Sequence, residues 1–207
     1  MVAKTTMLKF PFGQVTRISL LLTFVASTAL AGSPPGSGDW IVLAPTGEGF
    51  SVKMPVKPQV ETQRVPVMGN TYLLRLYTGN DDATGLLYMV VMQEYASVTG
   101  VLTPAARLER FMDGFKKGLG ESLATAVGGK FDLVLSRELT LAGKPGRQYS
   151  LTVGESRGLV RAFDAGRRVY LLMILGAEEK HSAAVTFFDS FEIKPAPDPV
   201  PQPIDKQ

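Results

Sequence analysis

The sequence predicts an α+β protein: an antiparallel β-sheet with helices packed on it, an α-β-α sandwich. Three observations predict it. Short β-rich runs follow one another through Gly-rich turns, and strands joined that tightly run antiparallel. Two of the runs, 86–92 and 169–175, are apolar almost without a break, so they need cover on both faces. Two stretches with helical periodicity, near 103–128 and 179–191, supply that cover.

The elements follow in order. Residues 40–43 are a short apolar strand. Phe50-Ser-Val-Lys-Met54 alternates with period two and stops at Pro55, as a half-buried strand does. Residues 59–67 alternate more weakly and read as an edge. Residues 71–78 and 86–95 are two β-rich runs around a loop of hairpin composition, 79–85. Thr103 then caps a helix whose first turn holds Pro104. Leu108, Phe111, Met112, Phe115, Leu119 and Leu123 form its apolar face, and Gly128-Gly129 ends it. Gly114 and Gly118 within it imply close approach to the sheet, since glycine weakens a helix interior by about 1 kcal/mol. Further strands are expected at 130–135, 138–141, 147–153, 157–163 and 168–175, with turns at 143–146 and 164–166. A second helix spans about 179–189, with Ala184, Phe187, Phe188 and Phe191 as its buried stripe. Glu192-Ile193 then closes the sheet.

Four segments divide the chain: 1–31, 32–38, 39–194 and 195–207. The first has the three parts of a secretory signal peptide. Lys4, Lys9 and Arg17 precede an apolar run over 18–31, which closes with Ala29-Leu30-Ala31 before Gly32. That run has 14 residues, and a membrane-spanning helix needs about 20. Cleavage is therefore expected at Ala29, Ala31 and Gly32, with export to the periplasm or medium and no stable membrane span afterwards. GSPPGSG at 32–38 is a flexible tether, 39–194 a single folded body, and 195–207 a tail with five prolines in thirteen residues.

Composition excludes several functions. The chain has no cysteine, so disulfides, thiolate metal sites, Cys nucleophiles and a lipoprotein anchor are closed. Its 22 Lys and Arg outnumber 19 Asp and Glu, but three of the basic residues lie in the leader. The remainder is balanced, which argues against nucleic-acid binding. There is no P-loop, dinucleotide fingerprint or H-E-x-x-H string.

The segments GFSVKMPVKPQVETQ (49–63), GGKFDLVLSRELTLAGKPGRQYSLTV (128–153) and RRVYLLMILG…FFDSFEI (167–193) resemble exported bacterial proteins of unassigned function whose layout is similar to the PsbP-like α-β-α sandwich. That superfamily includes extrinsic photosystem proteins, bacterial periplasmic proteins and a nuclear-transport cofactor. The resemblance covers most of residues 40–193. It implies a binding or assembly role over an enzymatic one. Photosystem members use His and carboxylates near metal sites, a role that one histidine does not carry over.

Four side-chain groups are candidates for chemistry. Gly154-Glu-Ser-Arg-Gly158 matches the G-x-S-x-G nucleophile elbow, and Asp164 and His181 follow in the hydrolase order. The elbow needs a strand turning into a helix, whereas here the string joins two strands and reads as a hairpin loop. His181 with Glu178 and Glu179 is too few ligands for zinc and reads as a solvated first helical turn. Asp81-Asp82 lacks calcium-loop spacing and reads as a turn. Arg157, Arg161, Arg167 and Arg168 fall on one hairpin with Arg147 on the strand before. They form either a basic binding patch or a solvated edge. No cofactor or metal is expected. The expected function is an exported, non-catalytic domain that binds a protein or cell-envelope component. The alternatives are a serine hydrolase using Ser156 and a structural module that assembles with itself.

Overall fold

The computed structural model describes residues 40–67, 70–95, 102–120, 122, 125 and 129–195. Residues 1–39, on which the expected leader and tether fall, and 196–207 of the proline-rich segment lie outside the described residues, as do the Leu119 side chain, Leu123 and Gly128. The strands are β1 (Ile41–Leu43), β2 (Phe50–Met54), β3 (Gln59–Val67), β4 (Asn70–Asp81), β5 (Leu86–Glu94), β6 (Phe131–Leu141), β7 (Lys144–Val153), β8 (Ser156–Asp164), β9 (Arg168–Leu175) and β10 (Glu192–Ile193). The helices are α1 (Pro104–Phe115), continued by a π-helical turn over Lys116–Gly120, and α2 (Ser182–Asp189).

Seven strands form one antiparallel sheet in the order β3-β4-β5-β9-β8-β7-β6. The two runs read as needing cover on both faces, β5 and β9, are neighbours at its centre, and all eight residues of β9 are buried. Side chains alternate across the pleat. Met89, Val91, Val160, Ala162, Leu171 and Met173 face one way and meet Leu108, Phe111, Met112 and Phe115 of α1. Tyr88, Val90, Leu159, Phe163, Tyr170 and Leu172 face the other way. They meet Phe187 and Phe188 of α2 together with Phe50, Val52 and Met54 of β2.

The second covering layer is therefore part helix and part sheet. β2 pairs with β1 and β10 in a small three-stranded sheet of its own. This corrects the expectation that Glu192-Ile193 closes the main sheet. Ile193 lies opposite Phe50, and Phe50 is buried against Tyr77, Tyr170 and Phe191. The molecule is strand-dominated, with one helix on one face and a helix plus a β-ribbon on the other.

Local chemistry explains the other boundaries. Thr103 caps α1, its hydroxyl accepting from the Ala106 N–H at 3.2 Å. Within the π turn, Gly118 faces open space: a Cβ there would have nothing within 4 Å, so it is not a point of close approach. That role falls to Gly120, where a Cβ would lie 2.8 Å from the Phe131 ring. The runs expected at 130–135 and 138–141 are one strand. Leu135 pairs with Tyr149 and Arg137 with Gln148, so Ser136 is an extra residue and the strand bulges there. The bulge moves the apolar set across the sheet: Leu133 packs under α1, whereas Leu139 and Leu141 pack on the α2 side.

The turn expected at 143–146 is Ala142-Gly143, both at positive φ (48° and 72°), and Lys144, Pro145 and Gly146 belong to β7. The loop expected at 79–85 is shorter, because β4 continues to Asp81. Helix α2 begins at Ser182 and not near Glu179, because the His181 Nδ1 caps it by accepting from the Ala183 N–H at 3.2 Å. Glu178 and Glu179 therefore precede the helix.

Candidate functional site

Strand β8 carries Ser156, Arg157, Arg161 and Asp164 of the residues that the sequence singles out, and it separates them. Ser156 begins the strand and Asp164 ends it. Eight steps of about 3.3 Å put them roughly 26 Å apart. Gly154, at φ 59°, takes the first place of the two-residue turn into β8, the place a type II′ hairpin reserves for glycine. At Gly158 a Cβ would lie 2.2 Å from the Ile174 carbonyl oxygen, so that glycine serves strand packing. Ser156, Asp164 and His181 are not brought together. Asp164 is committed to Arg107, and His181 to the cap of α2. Among the described residues no three His, Asp or Glu side chains gather as metal ligands. Asp81 and Asp82 are held within their own turn, by Ala83, Thr84 and Asn80.

The five arginines do not form one patch. Arg157 sits at the Ser156 end of the β8–β9 hairpin, 3.7 Å from Glu178, and both are exposed. Arg167 and Arg168 sit at the other end, both against Glu94. Arg147 pairs with Ala162 across the β7–β8 ladder and so lies on the α1 face, near Glu138. Arg161 lies on the α2 face, turned away from Val160 and Ala162 as the alternation predicts.

Arg147 and Arg161 nonetheless have something in common. Each lines a shallow hollow between a helix and the outer strand β6, one on each face of the sheet. The α1-side hollow, about 290 Å³, is bounded by Leu108, Leu139, Thr140 and Arg147. The α2-side hollow, about 270 Å³, is bounded by Leu139, Leu141, Arg161, Phe163, Phe188 and Phe191. The second is the better organised. The Arg161 Nε donates to the Gln148 Oε1 at 2.9 Å, and Nη1 lies 3.4 Å from Asp189. The guanidinium stacks over Phe188, 4.6 Å from the ring centre. Burial lowers the Arg161 pKa from its ordinary value, and Asp189 opposes that shift. Arg161 stays a cation all the same, since an arginine does not lose its proton in a protein. The result is a fixed, partly desolvated cation on an apolar floor.

A second polar group lies at the far end of β8. Asp164 accepts from the Arg107 Nε at 2.8 Å, the Arg107 Nη2 at 3.0 Å and the Gly166 N–H at 2.8 Å. Tyr95 stands close by, T-shaped against Tyr72 at 5.4 Å. Burial, then the Asp164 and Tyr72 charges, push its hydroxyl up to about 12. This group joins α1 to the sheet.

No protein-family model matches the chain, and no curated protein matches its sequence. Among solved structures it is similar to the solution structure of cyanobacterial PsbP (CyanoP) from Synechocystis sp. PCC 6803. That likeness has 16% sequence identity and a TM-score of 0.46, over 79% of this chain and 97% of that one. It carries the PsbP name to which the sequence resemblance points. The architecture itself rests on the strand order and register above.

Sequence reasoning singles out Arg161 and misses what holds it. Gln148 is buried, and its one signal is a polar residue alternating with Tyr149 inside a β-rich run. Asp189 and Phe188 read as the end and the stripe of a helix. Only the tertiary packing of α2 on β8 brings them to the arginine.

Proposed function

We propose that this is an exported, non-catalytic domain that binds a protein or cell-envelope partner, with the α2-side hollow as its contact point. The leader-like segment over 1–31 supports export. The observation that carries the binding reading is Arg161, held by Gln148 and Phe188 at the floor of a hollow walled by Leu139, Leu141 and Phe191. Buried aromatic and arginine anchors of this kind dominate binding energy at interfaces. Such a floor suits a partner that presents an apolar side chain beside a carboxylate or carbonyl oxygen. Among the described residues no helix is long and apolar enough to cross a membrane.

The test places a photo-crosslinking residue at Thr140, on the rim of both hollows, and another at the remote Val60 as control. Crosslinking is done in the producing cells. The expected result is a discrete adduct at Thr140, absent at Val60, with a mass different from twice this chain, and lost in Arg161→Glu. Identical products from the two positions would overturn the reading.

A further inference from the structure

We propose that β6 pairs edge to edge, antiparallel, with β6 of a second copy of this chain, the two strands centred on Val134. β6 ends the main sheet, and among the described residues β7 is its one strand partner. It is eleven residues long, with no proline or lysine along it. The opposite edge, β3, contains Pro66, which has no N–H to offer, one of the devices by which sheet edges avoid pairing. Val134 and Leu135 are 55% and 49% exposed in mid-strand, one on each face. α1 packs mainly over β8 and β7, its π-helical turn reaches the Phe131 end of β6, and α2 meets β8 and β2, which leaves Val134 and Leu135 exposed between them.

The bulge decides the register. A two-fold axis perpendicular to the sheet keeps faces matched, so opposed residues must lie on the same face. The extra residue at Ser136 puts Arg137 on the face of Asp132 and Val134. Centring on Val134 then sets Val134 against Val134, Leu133 against Leu135, and Asp132 against Arg137 of the second copy, each of the last two pairs occurring twice. Centring on Leu133 sets Lys130 against Arg137, like against like. Centring on Leu135 sets Val134 against Arg137 and Asp132 against Leu139. One register thus pairs opposite charges and covers both exposed apolar side chains. Arg137 uses Nη2 for Gln148 and Glu179, and has Nη1 to give. The charge complementarity is to β6 itself, which is why the occupant is a second copy.

This surface, 131–137, differs from the hollow of the proposed function, so the two readings fail separately. The test is sedimentation equilibrium of the exported protein, up to millimolar concentration. The expected result is a reversible dimer, with Val134→Glu weakening dimerisation by roughly tenfold or more, since it puts like charges face to face on the axis. Asp132→Arg and Arg137→Asp each weaken it, and the two together restore it. Circular dichroism of every variant establishes that it is folded. A wild-type protein that stays monomeric overturns the proposal. So does a dimer indifferent to Val134→Glu, or a double charge swap that fails to restore what the single swaps lose.

Discussion

Arg107 and Asp164 clasp each other through two hydrogen bonds, Nε to Oδ2 at 2.8 Å and Nη2 to Oδ1 at 3.0 Å. They lie 57 residues apart and tie the first turn of α1 to the last residue of β8. The carboxylate is 1% exposed, so it depends on this cation and on the Gly166 N–H. Arg107 also donates from Nη1 to the Leu102 carbonyl at 2.8 Å, which holds the chain entering the helix.

Removing the cation strands a buried carboxylate. Arg107→Ala is therefore expected to lose about 3–5 kcal/mol of stability in urea unfolding. Asp164→Asn keeps an acceptor for Gly166 and loses less, about 1–3 kcal/mol. The double variant loses less than the sum, because the two share one interaction. Strict additivity would show that the clasp carries no coupling.

Gly158 and Ser156 make a contrasting pair within the G-x-S-x-G string. A Cβ at Gly158 meets the Ile174 oxygen at 2.2 Å, a backbone atom that cannot swing aside. Gly158→Ala is expected to lose about 3 kcal/mol or to unfold the domain, at the upper end of overpacking effects. Ser156→Ala at the hairpin end stays within about 0.5 kcal/mol of the wild type. Equal and small effects at both positions would remove the packing account of the motif.

What was legible in the sequence is what local chemistry sets. Period-two alternation around Phe50, the cap at Thr103 and the unbroken apolar runs of β5 and β9 each reflect forces acting within one element. The bulge at Ser136 was not legible, since Leu133 and Leu139 are both apolar and only the sheet reveals that they face opposite ways. The partition of β10 to the small sheet depends on where Phe191 lands after α2, a tertiary outcome. The site behaves likewise. Arg161 is visible as an outward-facing residue between Val160 and Ala162, but Phe188 and Asp189 reach it only once α2 docks.

Ala142 holds φ 48° at the first place of the β6–β7 turn, with Gly143 at 72° in the second. Two positive φ values define a type I′ hairpin, which favours Asn-Gly, and the left-handed region costs an alanine about 1 kcal/mol. Ala142→Asn is expected to raise stability by about 0.5–1 kcal/mol with an unchanged fold. A thermal or urea midpoint at or below the wild-type value would contradict the turn assignment.

Tyr88 and Tyr95 give the fold an alkaline limit. Burial, reinforced by Asp81 at Tyr88 and by Asp164 at Tyr95, raises both hydroxyls from 10.0 to about 12. An unfolded chain releases these protons near pH 10, whereas the folded protein keeps them. Their contribution is therefore fully present below pH 10 and is lost as pH rises toward 12, by about 1.4 kcal/mol per pH unit for each group. The urea midpoint at pH 11 should lie below that at pH 9. Tyr95→Phe, which has no proton to lose, should shrink that difference, the rest coming from Tyr88 and from Tyr77, Tyr149 and Tyr170, whose hydroxyls burial also raises. Ultraviolet titration of the folded protein should show five tyrosines ionising late, Tyr88 and Tyr95 among them. If Tyr95→Phe leaves the alkaline loss unchanged, the buried hydroxyl beside Asp164 is not its source.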